Sequence, residues 1–226
     1  MSADTAAMTA PVRAEAAAVF GSAMPIAAHF AEILSTIGVA RGLIGPREVE
    51  RMWPRHLLNC AVVTDLLPQS ARVVDVGSGA GLPGIVLAIR RPDLAVVLVE
   101  PLKRRVAFLG EAVATLGLAD RVSIVHGRAE DQVVRSELGS SEWVTARAVA
   151  PLDRLVGWCL PLLRPGGSLL AMKGASAAQE VALHHSALID AGGQDPEIVR
   201  CGQGLIADLT TVVVVRRGST RARRGQ

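Results

Sequence analysis

The chain has 226 residues, a hydrophobic content of 50% and a formal net charge of +3. Five arginines and no acidic residue fall within residues 216–226, so residues 1–215 carry a net charge of −2 without them. This distribution excludes an overall positive field as the basis for binding nucleic acid. The length fits one large domain or two small ones.

The composition also indicates in which cellular compartment the protein resides. The longest apolar runs are strand-length, whereas a membrane span needs roughly 20 apolar residues. We therefore expect no membrane segment. The first residues lack the basic and apolar regions of a secretory signal. The cysteines Cys60, Cys159 and Cys201 are isolated and fit neither a disulfide framework nor a metal site. These features predict a cytoplasmic protein without a metal.

The first third of the chain has a helical pattern. Apolar residues recur at spacings of three and four from Val19 to Ile37, which is typical of an amphipathic helix. Pro46 predicts a short helix over residues 47–53, and Pro54 predicts the start of another that runs to residue 67. We predict a disordered terminus over residues 1–11 and a helical extension over 12–70.

From residue 72 onward, strand and helix patterns alternate. The predicted strands cover residues 73–76, 94–99, 122–125, 143–146, 168–172, 197–201 and 208–215. The predicted helices cover residues 85–91, 103–116, 152–163 and 177–191. The last two strands have no helix between them and should pair antiparallel. The pattern predicts an α/β Rossmann-like sandwich over residues 71–217, with a seven-stranded, mostly parallel sheet whose last strand is antiparallel. A basic disordered tail is predicted over 218–226, and one compact domain overall.

The most informative segment is a glycine-rich loop between the first predicted strand and the next helix. It reads Asp75-Val-Gly-Ser-Gly-Ala-Gly-Leu-Pro-Gly84, and Glu100 ends the following strand, 23 residues after Gly77. Glycines let the backbone approach a ligand closely, and a carboxylate at the end of the second strand can accept both hydroxyls of a ribose. The combination predicts a site for a ligand that contains a nucleoside.

The spacing of the glycines distinguishes between such ligands. A dinucleotide fingerprint needs glycine three positions after Gly79, where this chain has Leu82. A Walker A loop is excluded because no Gly-Lys-Ser/Thr is present. The pattern D-x-G-x-G-x-G resembles motif I of the class I S-adenosylmethionine-dependent methyltransferases. Gly127-Arg-Ala-Glu130 follows the third predicted strand, where that fold places the adenine.

Further segments narrow the resemblance to one family. Motif I with Leu-Pro-Gly is followed by Lys103-Arg-Arg-Val-Ala-Phe-Leu109, Arg147-Ala-Val-Ala-Pro-Leu152 and Lys173-Gly174, with Arg55-His-Leu-Leu58 upstream. In this order they resemble the RsmG/GidB family, which methylates N7 of one guanine in small-subunit (16S) ribosomal RNA. The resemblance covers about residues 26–215. The chain departs from the family at Gly42-Leu-Ile44 and Asn59-Cys60.

The resemblance implies roles for particular residues. The implied cofactor is S-adenosylmethionine, and the residues implied to bind it are Asp75, Gly77, Gly79, Leu82, Glu100, Ala129, Glu130 and Arg147. Arg147 and Lys173 are the candidates for aligning the reactants and stabilising charge during the transfer. No general base is expected, because guanine N7 carries a lone pair and no proton. Two alternatives stay open. Arg147 could be a helix-cap residue in an ion pair, and Lys173 could be a solvated residue at the end of a strand.

The partner implied by the resemblance is 16S ribosomal RNA or the small-subunit particle. We separately expect the chain to be a monomer. The candidate RNA contacts are Arg47, Arg55, His56, Arg104 and Arg105. An alternative is that these arginines are solvated and paired with Glu48 and Glu50. Two other functions stay open at this point. One is methylation of a small molecule or a protein, and the other is an RNA-binding factor without activity.

Overall fold

The computed structural model describes residues 8–218, apart from the side chain of residue 195. Its N-terminal part is helical, with α1 at Ala10–Phe20, α2 at Met24–Ile33 and α3 at Asn59–Ala61. Turns of 3-10 helix cover Gly21–Ala23, Pro46–Arg51 and Val62–Leu66, and π-helical turns cover Leu34–Gly38 and Met52–Leu58.

Two predictions for this part of the chain need correction. Pro54 does not begin a helix, because it lies inside the π-helical turn Met52–Leu58 that continues directly into α3. Its missing N–H is tolerated there because Pro54 is the third residue of this helical stretch, where a backbone N–H has no partner within the helix. Ala10 and Pro11, assigned to a disordered terminus from sequence, lie in the first turn of α1. Of the two predicted disordered ends, residues 1–7 and 219–226 lie outside the described residues, and residues 8, 9 and 218 belong to no helix or strand.

The remainder alternates strands and helices. The strands are β1 Arg72–Val76, β2 Ala95–Glu100, β3 Val122–His126, β4 Ser141–Arg147, β5 Leu163–Lys173, β6 Gly193–Cys201 and β7 Thr210–Arg217. The helices are α4 Gly84–Arg90, α5 Lys103–Thr115, α6 Gln132–Leu138, α7 Leu152–Cys159, α8 Ala177–Leu183 and α9 His185–Asp190. A 3-10 turn covers Leu160–Leu162.

Several of these elements differ from the predictions, and β6 begins at Gly193, four residues before its predicted start. The sequence pattern missed α6, a short helix of seven residues. The predicted helix over 177–191 is split into α8 and α9 at His184. β5 begins at Leu163, five residues before the predicted strand over 168–172, and includes residues 164–167 as a bulge against β4. A bulge adds residues to one strand without breaking the ladder, so local composition does not distinguish it from a turn.

The seven strands form one sheet in the order β3-β2-β1-β4-β5-β7-β6. β7 pairs antiparallel with both β5 and β6, and all the other pairs are parallel. The predicted Rossmann-like sheet with an antiparallel last strand and a C-terminal hairpin is therefore confirmed. Arg216 and Arg217 belong to β7, and Arg217 donates hydrogen bonds to the carbonyl oxygens of Pro161 and Leu163. They are thus part of the sheet.

Alternate strand residues face two apolar layers, as the period of a strand requires. Val73 and Leu98 join the N-terminal helices, α4 and α5 in one layer, whereas Val74 and Val97 join α7 in the other. The N-terminal helices therefore cover one face of the sheet and share its core. This packing carries residues 46–61 to the edge where β1, β4 and β5 end.

One helical stretch among residues 8–218, Ala10–Gly38, is long and apolar enough to cross a membrane by length and composition. The side chains of Phe30, Ala31 and Leu34 in this stretch are fully buried in the core. The core helices of proteins without membrane spans pass the same criterion, so the stretch is weak evidence for a span. The expectation of no membrane segment stays a prediction.

Candidate functional site

The glycine loop leaves the end of β1 and turns tightly beneath the loop that follows β4. Gly77 has φ +70°, and a Cβ at this position would lie 2.7 Å from Cγ2 of Val149. Only glycine combines this left-handed backbone with so close an approach. The next turn is closed by Ser78, whose carbonyl accepts from Gly81 N at 2.7 Å. The loop is therefore pressed against residues 148–149.

Asp75 holds the far end of this loop from inside the sheet. Its side chain is fully buried, and Oδ2 accepts a hydrogen bond from Gly84 N at 3.0 Å. Its Oδ1 has no hydrogen-bond partner within residues 8–218. Burial raises the pKa of this carboxyl group to about 7. Asp75 lines neither cavity described below, so the structure gives it a role in shaping the loop.

Glu100 ends β2, directly beside the end of β1. Its side chain is almost fully buried. Oε2 accepts a hydrogen bond from Gly79 N at 2.9 Å, and Oε1 accepts one from Leu102 N at 3.0 Å. A carboxylate offers about four acceptor positions, so both oxygens can accept further hydrogen bonds. Nη1 of Arg105 lies 3.8 Å from Oε2. The carboxylate is thus rigidly held and still able to accept from a diol.

A cavity of about 370 Å³ opens above these groups, and we call it the nucleoside cavity. It has a lining of both polar and apolar residues: Val76, Gly77, Val99, Glu100, Pro101, Leu102, Arg105, Gly127, Arg128, Ala129, Glu130, Ala148, Val149 and Trp158. Its volume lies within the usual range of about 300–1,000 Å³ for small-ligand sites. The structure brings together the predicted Gly77, Glu100, Ala129 and Glu130. Leu82 instead packs against the core.

Arg147 ends β4 and is held by side chains of the N-terminal helices. Its Nη2 donates to Nδ1 of His56 at 2.5 Å, and its Nη1 donates to Sγ of Cys60 at 3.1 Å. His56 Nε2 in turn lies 2.9 Å from Oε2 of Glu48. The ring is buried, and burial together with the Arg147 charge lowers the pKa of His56. His56, a candidate RNA contact from sequence, is therefore an internal partner of Arg147.

A second, larger cavity of about 900 Å³ is lined by Arg147, and we call it the cationic cavity. Five basic residues line it, against two acidic ones: Arg51, Arg55, Arg147, Lys173 and Arg200, with Glu180 and Asp208. Ala148 lines both cavities, so the two meet at the loop after β4. The sequence reasoning missed Arg200, because the hairpin of β6 and β7 reaches this place only through tertiary pairing.

Lys173 ends β5 in the wall of the cationic cavity and is not a solvated strand-end residue. Its Nζ donates to the carbonyl oxygen of Ala150 at 3.0 Å and to Oε2 of Glu180 at 2.8 Å. Only 10% of the side chain is exposed. Lys173 therefore ties the loop after β4 to α8, and this loop separates the two cavities.

The remaining RNA candidates do not form one patch. Arg55 is exposed in the cationic cavity, whereas Arg105 lines the nucleoside cavity. Arg47 and Arg104 are exposed and line neither cavity. Of these four arginines, only Arg55 therefore lies in the cationic cavity.

Comparison with solved structures shows what the fold is similar to. One neighbour is a Methanococcus maripaludis protein provisionally assigned as an S-adenosyl-L-methionine-dependent methyltransferase. The two structures align with a TM-score of 0.59 over 87% of this chain and 94% of the neighbour, at 14% sequence identity. At this identity the likeness is one of fold, which by itself does not fix a reaction.

Sequence relatives are much closer. The chain is 56% identical over 202 residues to the ribosomal RNA small subunit methyltransferase G of Salinispora arenicola, covering 88% of this chain and 84% of the relative. It is 52% identical over 214 residues to the protein of the same name from Mycobacterium marinum, covering 95% and 93%. The sequence profile of the GidB family, described as rRNA small subunit methyltransferase G, matches residues 24–209. The chain therefore belongs to the GidB family.

Proposed function

We propose that this chain transfers the methyl group of S-adenosylmethionine to N7 of a guanine in small-subunit (16S) ribosomal RNA. The observation that carries the proposal is the meeting of two different cavities at Ala148. One contains a fixed carboxylate beside a glycine loop, and the other is lined by arginines. The names of the relatives, ribosomal RNA small subunit methyltransferase G, support the same substrate class.

The nucleoside cavity fits the cofactor in its chemistry. Glu100 would accept the ribose hydroxyls through the acceptor positions that Gly79 N and Leu102 N leave free. Gly77 would let the backbone approach the ligand, and the apolar Ala129 with Glu130 would flank the adenine. Nε of Arg105 is buried without a hydrogen-bond partner among the described residues, which leaves a donor for a polar ligand atom. When bound, the sulfonium of the cofactor supplies the methyl group.

The cationic cavity suits a nucleotide. Guanine presents O6 as an acceptor beside N7, so an arginine or lysine can donate to O6 while the lone pair of N7 stays free to attack the methyl group. Arg147 and Lys173 stand in the wall of this cavity, and Arg51, Arg55 and Arg200 are available to phosphates. N7 loses no proton on methylation. The two acidic residues lining this cavity need not act as bases, and Glu180 is already paired with Lys173. Alignment and charge stabilisation would be sufficient for an in-line displacement.

The test is direct mapping of the modified nucleotide. Small subunits and naked 16S RNA from a strain that lacks this gene are incubated with the purified chain and isotopically labelled S-adenosylmethionine. Nuclease digestion with mass spectrometry should then find one N7-methylguanosine at a single position. The Glu100→Gln variant, which keeps the size of the side chain, should show much less label at the same cofactor concentration.

Other outcomes would contradict the proposal. Label at another base atom, or in neither RNA substrate, would refute methylation of guanine N7. If label appears only in a small molecule or a protein, the substrate of the chain belongs to that class and not to ribosomal RNA. The comparison of subunits with naked RNA identifies the particle on which the chain acts, and light scattering tests the expected monomer.

A further inference from the structure

Arg147 connects two parts of the fold, the sheet and the N-terminal helices. Its backbone ends β4, but both of its side-chain hydrogen bonds within residues 8–218 go to the N-terminal helices. The two acceptors, His56 and Cys60, are four residues apart and so face the same side of their helical segment. The helical extension therefore builds one wall of the catalytic region.

The protonation state of His56 follows from its neighbours. An arginine guanidinium has donors only, so the nitrogen that receives its hydrogen bond, Nδ1, must carry a lone pair. A neutral imidazole then has its proton on Nε2, where the Glu48 carboxylate lies at 2.9 Å to accept it. Glu48 thus selects the tautomer that leaves Nδ1 free for Arg147.

We infer that neutral His56, with its tautomer set by Glu48, is the positioning residue that holds the Arg147 guanidinium in the wall of the cationic cavity. The inference rests on the proposed function, in which Arg147 meets the cofactor or the target guanine. It adds to that function a dependence of methyl transfer on the N-terminal helices.

Protonation of His56 would remove this support. An imidazolium has N–H groups at both nitrogens, so Nδ1 would present a donor and a positive charge to the guanidinium. The charged groups around the ring are Glu48 from the 3-10 turn, Arg147 from β4 and Arg55 on its own segment. Asp75 also interacts electrostatically with Arg147 and with Cys60. The buried ring has a lowered pKa, so it is uncharged at neutral pH and gains its charge only in more acidic solution.

Three variants separate positioning from folding. His56→Asn keeps an acceptor in the place of Nδ1 but does not titrate, whereas His56→Leu removes the acceptor. His185→Asn is the matched control, because His185 is exposed on α9 and lines neither cavity. Methylation of small subunits is followed from about pH 5 to pH 8.5, across the range in which histidines titrate.

The expected results differ in shape as well as size. Wild type and His185→Asn should lose activity together toward acid pH. His56→Asn should retain activity at neutral pH and show a smaller acid limb, because only the part that Asp75 causes would stay. His56→Leu should fall on the order of 10- to 100-fold at neutral pH, the loss expected when a hydrogen-bonded partner of a charged group is removed.

The inference is overturned if His56→Leu is as active as wild type, or if His56→Asn keeps the acid limb unchanged. If His56→Leu does not fold by circular dichroism, the pH profile of His56→Asn decides alone. Wild type that labels no ribosomal RNA at any pH would instead refute the proposed function, so the two failures are distinguishable.

Discussion

Gly84 provides a test of how the glycine loop is anchored. It begins α4 with an ordinary helical backbone, so an alanine there would normally favour the helix. In this structure the added Cβ would lie 2.7 Å from Oδ2 of Asp75 and would also meet the side chain of Leu98. Asp75 and Leu98 are both fully buried, so neither can move away into solvent.

Two terms lower the free energy of unfolding of Gly84→Ala, and one term raises it. Overpacking a buried site costs about 1–3 kcal/mol. Displacing Asp75 also lengthens the hydrogen bond from Gly84 N, which is worth about 1–3 kcal/mol. Alanine returns about 1 kcal/mol through its helix propensity. We expect Gly84→Ala to lower the free energy of unfolding by about 1–5 kcal/mol, or Tm by about 2–20 °C.

Gly110→Ala makes the same change in the middle of α5. No atom lies within 4 Å of its added Cβ, so this variant should gain about 0.8–1 kcal/mol. Urea unfolding followed by circular dichroism measures both variants under one condition, and calorimetric titration with S-adenosylmethionine reports the shape of the loop. If Gly84→Ala proves as stable as Gly110→Ala, the close packing of Asp75, Gly84 and Leu98 is not what the structure shows.

Three further predictions concern Asp75, Glu100 and the chain end. Because the pKa of Asp75 is raised to about 7, its folded state keeps a proton that the unfolded chain releases near pH 4, so stability falls as pH rises between these values. Relative to Asp75→Asn, wild type should lose on the order of 4 kcal/mol from pH 4 to pH 8 in urea titrations, and a constant difference would refute this. Glu100→Gln should weaken binding of S-adenosylmethionine about 10- to 100-fold by calorimetry, and unchanged affinity would exclude the ribose contact. Deleting residues 219–226 removes three arginines. In a plot of the logarithm of RNA affinity against the logarithm of salt concentration, the slope should become shallower by up to about 2 to 3, and binding of the cofactor should not change. The deletion must spare Arg216 and Arg217, which belong to β7.

Local patterns in the chain were sufficient to predict the sheet and half of the candidate site. The glycine loop and Glu100 follow β1 and β2, and these neighbouring parallel strands end at the same edge with Val76 opposite Val99. Residues at the ends of adjacent parallel strands meet wherever the fold places the strands. For this reason Gly77 and Glu100 could be predicted to share a cavity from their order and spacing alone.

Tertiary structure decided the rest, because it depends on contacts between distant segments. His56 and Arg147 are 91 residues apart, and their hydrogen bond exists only because the N-terminal helices pack on the sheet. No periodicity distinguishes a buried histidine with two polar partners from an exposed one near arginines. The sequence left open whether Lys173 is a site residue or a solvated one, and β5 places it beside Ala150 and Glu180. The sequence by itself determined the sheet and the nucleoside cavity, whereas packing between distant segments decided which polar side chains were buried and what held them.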